Sequence, residues 1–468
     1  MQTVTEIEFS PELSQIEHGL ASLPPDSILQ YTFDFKSDVD LLEFSQQFLG
    51  TSERVFFWEV PEENSRLLSV GSIETCRVSG DERFSQMDQF FTATNAKIQT
   101  LNGFPDRALP RYMVAASFFT TVNPGMWDGF SPGLCYLPRL ILKSEHDQIS
   151  GTLYFTTNDL DEFSDLSGRI NSFFTVETAR KMSPDAEEFT NFELHLNGEK
   201  RDWLSTVNAC LDTIRRKQIH KVVLGTSMFV RTDEEVSPVP VLRNLRATYP
   251  SCINYFYQET NGHTFLGATP EWLMRIRDSK LYCDALAGSA PRHHDLTVDK
   301  ELGDSLLRSP KNLHEHQFVV NHLKQELKSF AKSIENEELP VLQKLPNVQH
   351  LHTPVTADLH EHASPFEIMK RLHPTPAVGG IPTESALEII RDIEQFERGY
   401  YAGPIGWVQG NGDVDIAVGL RSGLLTSDDL NIFAGAGIVE NSDPADEYDE
   451  LQIKMQPLLS AIGILNPQ

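Results

Sequence analysis

Cysteine is scarce in this sequence and does not cluster: Cys76, Cys135, Cys210, Cys252 and Cys283 are odd in number, widely spaced and never arranged as C-x-x-C. That excludes a disulfide framework and a cysteine-bound zinc. Basic residues are outnumbered, 39 lysines and arginines against 67 aspartates and glutamates, for a formal net charge of −28. A surface so negative repels phosphate backbones and anionic lipid, so neither nucleic acid nor a membrane is an expected partner. No apolar run reaches the roughly eighteen residues that suggest a spanning helix. The opening, MQTVTEIEFSPELSQIEHGL, has no basic head leading into an apolar stretch and carries glutamates, unlike a secretory or organellar leader. The expected location is cytoplasmic.

What is present is an ordinary globular balance: hydrophobic residues make up 40% and charged residues 23% of 468 positions, enough for a large buried core. Residues 1–115 read as mixed helix and strand, with RVFFWEV (54–60) a short apolar run and no recognisable chemistry. YMVAASFF (112–119), LCYLPRLIL (134–142) and GTLYFTT (151–157) read as strands, with turn signals at Pro124-Gly125 and Pro132-Gly133. Residues 200–217 have helical apolar spacing and end in three basic residues, the charge a helix C-terminus prefers. KVVLGTSMFV (221–230) follows as a strand, then strands at 252–258, 263–267, 272–277 and 281–286. A helix over 296–333, broken near Ser309-Pro310, leads into SIENEELPVLQKLP, a polar surface excursion. Then come extended HLHTPVTADL (350–359), helices at 364–372 and 383–397, strands at 400–408, 413–421 and 429–434, and a terminal helix at 444–461. Strands in consecutive hairpin-like pairs with helices outside them predict an α+β fold rather than alternating βαβ units.

The segment FAGAGIVENSDPADEYDELQIKM (433–455) places glycines, acids and one lysine in a short span. Its glycines do not form a dinucleotide loop, because G-x-G-x-x-G needs a glycine where Glu440 stands. A strand that turns with exposed amides at Gly435 and Gly437 suits a carboxylate. Glu447, Glu450 and Lys454 fall at i, i+3 and i+7 of the following helix and share one face. Either that face is solvated and holds an ordinary Glu450–Lys454 pair, or its acids hold a cation. Glu315, in NLHEHQFVV, poses the same choice. His314 and His316 are only two apart, which excludes the H-E-x-x-H zinc pattern. Carboxylates from separate helices are, however, how a protein holds Mg²⁺ with positions left for water and substrate. Lys221 opens an apolar strand, and Glu271 follows a proline in LGATPEWLM. If both face one closed cavity, a neighbouring cation and burial lower the lysine pKa while an apolar wall raises that of the glutamate, giving a base and an acid.

KVVLGT (221–226), FLGATPEWLM (265–274), ALAGSAPR (285–292), LLRSPKNLHEHQFVV (306–320), HLHTP (350–354), LHPTPAVGGIP (372–382), FERGYYAGPIGW (396–407), VGLRSGLL (418–425) and the 433–455 segment resemble, in unbroken order, the chorismate-utilising enzyme family. Within it they look most like isochorismate synthases. The likeness runs over 200–462; residues 1–115 resemble the variable amino-terminal part only loosely, with 116–468 as the catalytic region of the same domain. The resemblance implies one large α+β domain, two stacked antiparallel β-sheets surrounded by helices, with the active site in a cleft between. It implies chorismate as substrate and Mg²⁺ as cofactor, with Glu315 and Glu450 as metal ligands and Glu447 reaching the ion through water. By the same matching Lys221 is the base for water and Glu271 the acid. Tyr401, Arg421 and Lys454 hold the side-chain carboxylate with the amides of Gly435 and Gly437, while His350, Gly288 and Ser289 line the ring end.

Relatives that add ammonia carry Gln at position 221, and those with a lysine nucleophile carry it where this chain has Ala287. Salicylate-forming relatives usually have Thr where Ala377 faces the substrate. The expected reaction is therefore water addition at C2 with loss of the C4 hydroxyl, stopping at isochorismate, for menaquinone or phylloquinone synthesis. Ser289 and Gly379 depart from the commoner Thr and Ser of the family and touch no expected ligand or proton carrier. A monomer or weak homodimer is the expected state.

Overall fold

Lys221–Thr232 carries the apolar runs 222–225 and 228–230 and is buried along most of its length, as a strand inside a sheet requires. It pairs antiparallel with Asp429–Ile438, from Val222 opposite Ile438 to Arg231 opposite Asp429. The computed structural model that shows this describes residues 13–35, 39–101, 109–123, 125–145, 148–160, 192–196, 200–216, 219–232, 236–426 and 429–464. From that pair a thirteen-stranded sheet runs through Ser422–Leu425, Thr264–Thr269, Ile253–Gln258 and Val55–Val60 to Ile28–Phe35 and Ile98–Thr100. A ten-stranded sheet runs from Ala331–Asn336 through Val348–Leu359, Lys280–Pro291, Trp272–Arg277, Val414–Val418 and Pro404–Gln409 to Arg111–Ala116, Gly133–Leu137 and Glu74–Val78. Among the described residues every pairing is antiparallel except Ile28–Phe35 with Ile98–Thr100.

The sheets meet through aromatic side chains that bury large apolar areas: Trp58 of the first lies 6.0 Å from Trp272 of the second, and Tyr257 lies 6.4 Å from Tyr136. Strands on either side of residue 115 enter both sheets, so the amino-terminal part completes the same two layers. Ten helices lie among the described residues. Two of them frame the site, and their ends are set by side chains. Pro310–Leu327 starts at Ser309, whose hydroxyl accepts from Asn312 N, and Pro444–Ala461 starts at Asp443, whose carboxylate accepts from Ala445 N and Asp446 N.

The chain crosses from one sheet to the other at short links, and these account for several departures from the sequence reading. LCYLPRLIL is not one strand but two, Gly133–Leu137 in the second sheet and Leu140–Glu145 in the first, because Pro138 cannot donate to a ladder. Strand 413–421 stops at Val418; Arg421 takes a left-handed φ of 48° and the chain restarts as Ser422–Leu425 in the other sheet, so the carboxy-terminal region has four strands rather than three. The helix expected to 333 ends at Leu327, and 331–336 becomes an edge strand on Val348–Leu359, where tertiary pairing overrides local propensity. Much of SIENEELPVLQKLP is likewise strand, Ala331–Asn336 and Val341–Lys344. The helix expected over 383–397 ends at Ile393, since Glu394 is extended and its carboxylate is engaged by Arg398 and Gly225 N. The expected turn residue Pro124, the basic Lys217 and residues 1–12 lie outside the described residues.

Candidate active site

The strand Asp429–Ile438 has an open edge where the cavity forms. Its partner Ser422–Leu425 reaches only to Ile432, opposite Gly423. On the other side Val223 N donates to Gly379 O at 2.7 Å and Val223 O accepts from Arg398 Nη2 at 2.8 Å, while Gly225 N donates to the Glu394 carboxylate. Those backbone groups point away from Asp429–Ile438, so their cross-strand partners Gly437 and Gly435 turn their own N–H and C=O toward the open edge. Lys454 Nζ accordingly donates to Gly435 O at 2.7 Å. A side chain at either place would displace the site: a Cβ on Gly437 would lie 2.8 Å from Glu315 Oε1, and one on Gly435 2.8 Å from the Tyr401 hydroxyl.

Lys221 and Glu271 enter the same space from different elements. Lys221, 1% exposed, opens its strand, and its Nζ lies 2.8 Å from Glu315 Oε1. The sequence reading set a cation beside Lys221; the structure instead sets an acid there, and the two residues form an ion pair. Glu271 sits in the crossing between Thr264–Thr269 and Trp272–Arg277, where its N–H donates to Thr269 Oγ1 and its carbonyl accepts from Val418 N. Burial, and after it the charge of Asp284, push the Glu271 carboxyl up to about 8 against the pull of Lys221, Lys454 and Arg421. Asp284 is itself tied down, accepting from Trp272 N at 2.8 Å, Tyr282 Oη at 2.6 Å and His352 Nε2 at 2.7 Å.

The other crossing supplies Arg421. Its Nη2 donates to His350 Nε2 at 3.1 Å, so the imidazole proton belongs on Nδ1, which lies 3.0 Å from Ser289 Oγ. Burial, with Arg421 and Lys454, holds His350 well below the usual histidine range, hence neutral. Ser289 follows a bulge at Gly288, whose φ of +81° shifts the register between Ala287 and Ser289 and turns the strand toward the cavity. Tyr401 stacks on Phe433 at 5.4 Å, and burial raises its phenol pKa, leaving it a neutral donor.

The two helices bring the acids. Glu315 comes from Pro310–Leu327; Glu447 and Glu450 come from consecutive turns of Pro444–Ala461. Glu450 pairs with Lys454 at 2.5 Å, and Glu447 with Lys311 at 3.3 Å. Burial and the Glu450 charge raise Glu447, while burial of Glu450 is outweighed by Lys454, Arg421 and Lys311, so its pKa falls. Among the described residues no three such groups are drawn together as a ready metal cluster; each acid has a lysine beside it. The donor chemistry nevertheless suits Mg²⁺: all-oxygen ligands, with two adjacent acids on one helix whose mutual repulsion a divalent ion relieves.

All the sequence-derived site residues except Glu447 line one cavity: Lys221, Glu271, Gly288, Ser289, Glu315, His350, Ala377, Tyr401, Arg421, Gly435, Gly437, Glu450 and Lys454. Glu447 is buried one turn before Glu450. Sequence reasoning missed Lys311 and Asp284. Lys311 carries no signal in sequence, but a lone aspartate in the apolar run LYCDALAG is a buried charge in need of partners.

Two stacked antiparallel sheets, with a cavity lined by residues of both, are the architecture that the family likeness implies. The sequence profile of the chorismate binding enzymes matches residues 14–463, and the chain belongs to that family. Isochorismate synthase MenF of Bacillus subtilis is 31% identical to it across 99% of both chains. The salicylate biosynthesis isochorismate synthase of Pseudomonas aeruginosa is 40% identical over 271 residues, 57% of this chain and 56% of its own length. The solved structure of the menaquinone-specific isochorismate synthase MenF of Escherichia coli superimposes with a TM-score of 0.79 at 23% identity, over 96% of this chain and 98% of that one, a likeness of fold. No helix among the described residues is long and apolar enough to cross a membrane.

Proposed function

We propose that this protein is an isochorismate synthase that converts chorismate to isochorismate, adding water at C2 and expelling the C4 hydroxyl, for menaquinone biosynthesis. The observation that carries the mechanism is that Lys221 and Glu271, a base candidate and a carboxyl pushed up to about 8, line one cavity with Arg421, Lys454 and the open-edge glycines. Protonated Glu271 delivers a proton to the departing hydroxyl; Lys221, acting as the free amine once its ammonium proton has been released to solvent, takes one from the attacking water. Each transfer is worth roughly 10²–10⁴ in rate. Arg421, Lys454, Tyr401 and the amides of Gly435 and Gly437 supply donors for the side-chain carboxylate, while His350 and Ser289 bound the ring. Bound to Glu315 and Glu450, a magnesium ion would neutralise the ring carboxylate and, by engaging Glu315, loosen that acid's hold on the Lys221 ammonium.

The test is incubation with chorismate and magnesium chloride, with products resolved by chromatography. Isochorismate alone supports the reading. Salicylate with pyruvate identifies a lyase, and unchanged chorismate means a binding role.

A further inference from the structure

The turn that carries Glu271 is held on every side. Pro270 O accepts from Gln343 Nε2, the Glu271 N–H and carbonyl are both engaged, and Trp272 N donates to Asp284 Oδ2 at 2.8 Å. Of these anchors only Asp284 brings charge. It is 4% exposed, on Lys280–Pro291, and its other oxygen accepts from Tyr282 and His352. We propose that Asp284 is a positioning residue for the reaction: its carboxylate clamps the backbone one residue beyond Glu271 and sets a fixed negative charge behind that acid, keeping it a proton donor. The inference rests on the isochorismate synthase reading, in which Glu271 must be protonated to act.

Three hydrogen bonds satisfy the acceptor-only carboxylate of Asp284, as a buried charge requires. The charged groups acting on Glu271 are Asp284 on one side and Lys221, Lys454 and Arg421 on the other. All three cations favour the ionised form; burial opposes them first, and Asp284 is the charge that adds to it. Removing that charge lets the cations pull Glu271 toward its carboxylate, so the donor is lost at lower pH.

The experiment is the pH profile of kcat/KM for chorismate, with saturating magnesium chloride, for the wild type, Asp284→Asn and Asp284→Glu. Wild-type activity should fall as pH rises through about 8, the Glu271 value. In Asp284→Asn that alkaline limb should move down by about one pH unit. In Asp284→Glu, which keeps the charge, it should return to the wild-type position even if the rate is lower. A merely structural role would depress the rate at every pH and leave the limb in place, and that result overturns the inference. Should Asp284→Asn not fold, Asp284→Ser, which retains an acceptor for Trp272 N, carries the same expectation. If the wild type itself leaves chorismate unchanged, the functional reading fails and takes the inference with it; turnover with an unmoved limb sinks the inference alone.

Discussion

Lys221 Nζ stands 2.8 Å from Glu315 Oε1 beside Gly437, so the expected proton acceptor and an expected metal ligand share one contact although 94 positions separate them in the chain. Buried charges persist only when paired, and breaking such a pair strands the survivor. Lys221→Ala should therefore cost twice. The kcat/KM for chorismate should fall by about 10²–10⁴ with the loss of the base, and stability in denaturant should fall by about 3 kcal/mol because Glu315 is left uncompensated. Wild-type turnover in Lys221→Ala, read by chromatography, removes the base from the mechanism.

Gly437→Ala probes the same contact without touching either charge. Its new methyl would meet Glu315 Oε1 at 2.8 Å and Lys221 Cε at 3.2 Å, so the pair must give way toward the cavity that both side chains line. The pair must shift by a few tenths of an ångström or more, and misplacement on the scale of an ångström costs up to about 10²-fold in rate. A tenfold or larger fall in kcat with a small change in denaturation midpoint is expected. An unchanged kcat would mean that the Lys221–Glu315 geometry does not govern turnover.

Local signals made some of this legible in sequence and topology hid the rest. The start of the terminal helix was readable because Pro444 suits a first turn, and the spacing of Glu447, Glu450 and Lys454 then fixed their shared face. Residue type and spacing singled out Lys221, Glu271, Glu315, Glu450 and Lys454, but only the family likeness brought them into one cavity. No local pattern places Glu271, in a turn between two sheets, opposite Lys221 on a strand edge. The crossing at Arg421 was missed for a related reason: a non-glycine residue in the left-handed region breaks the strand, and nothing in VGLRSGLL announces it. Lys311 escaped notice because a lysine in the first turn of a helix is ordinarily solvated; only the fold sets it against Glu447.

Magnesium affinity offers a readout independent of turnover. Glu450→Gln removes an expected ligand, and titration calorimetry with magnesium chloride should show binding weakened by about tenfold or more. Lys311→Met should act in the opposite sense, because the ammonium 3.3 Å from Glu447 offsets the negative charge that attracts a divalent ion. Equal affinities in wild type, Glu450→Gln and Lys311→Met would mean that the ion, if it binds, is held elsewhere.

The protonation of Glu271 also makes a prediction about folding. Its folded pKa of about 8 lies above the ordinary carboxylate value of 4.5, so between those limits the unfolded chain binds fewer protons than the folded one. Stability from this group is complete below about 4.5 and is lost as pH rises toward 8, because the acid must stay neutral in the fold while it would ionise freely in water. Glu271→Gln mimics the neutral acid and removes that slope. At pH 7.5 the variant should exceed the wild type in unfolding free energy by on the order of 3 kcal/mol, and near pH 4.5 the two should be close. The same change should lower kcat/KM by about 10²–10⁴, since an amide has no proton to give. Denaturant midpoints at the two pH values decide it: a stability difference that does not grow with pH places the raised carboxyl somewhere other than Glu271.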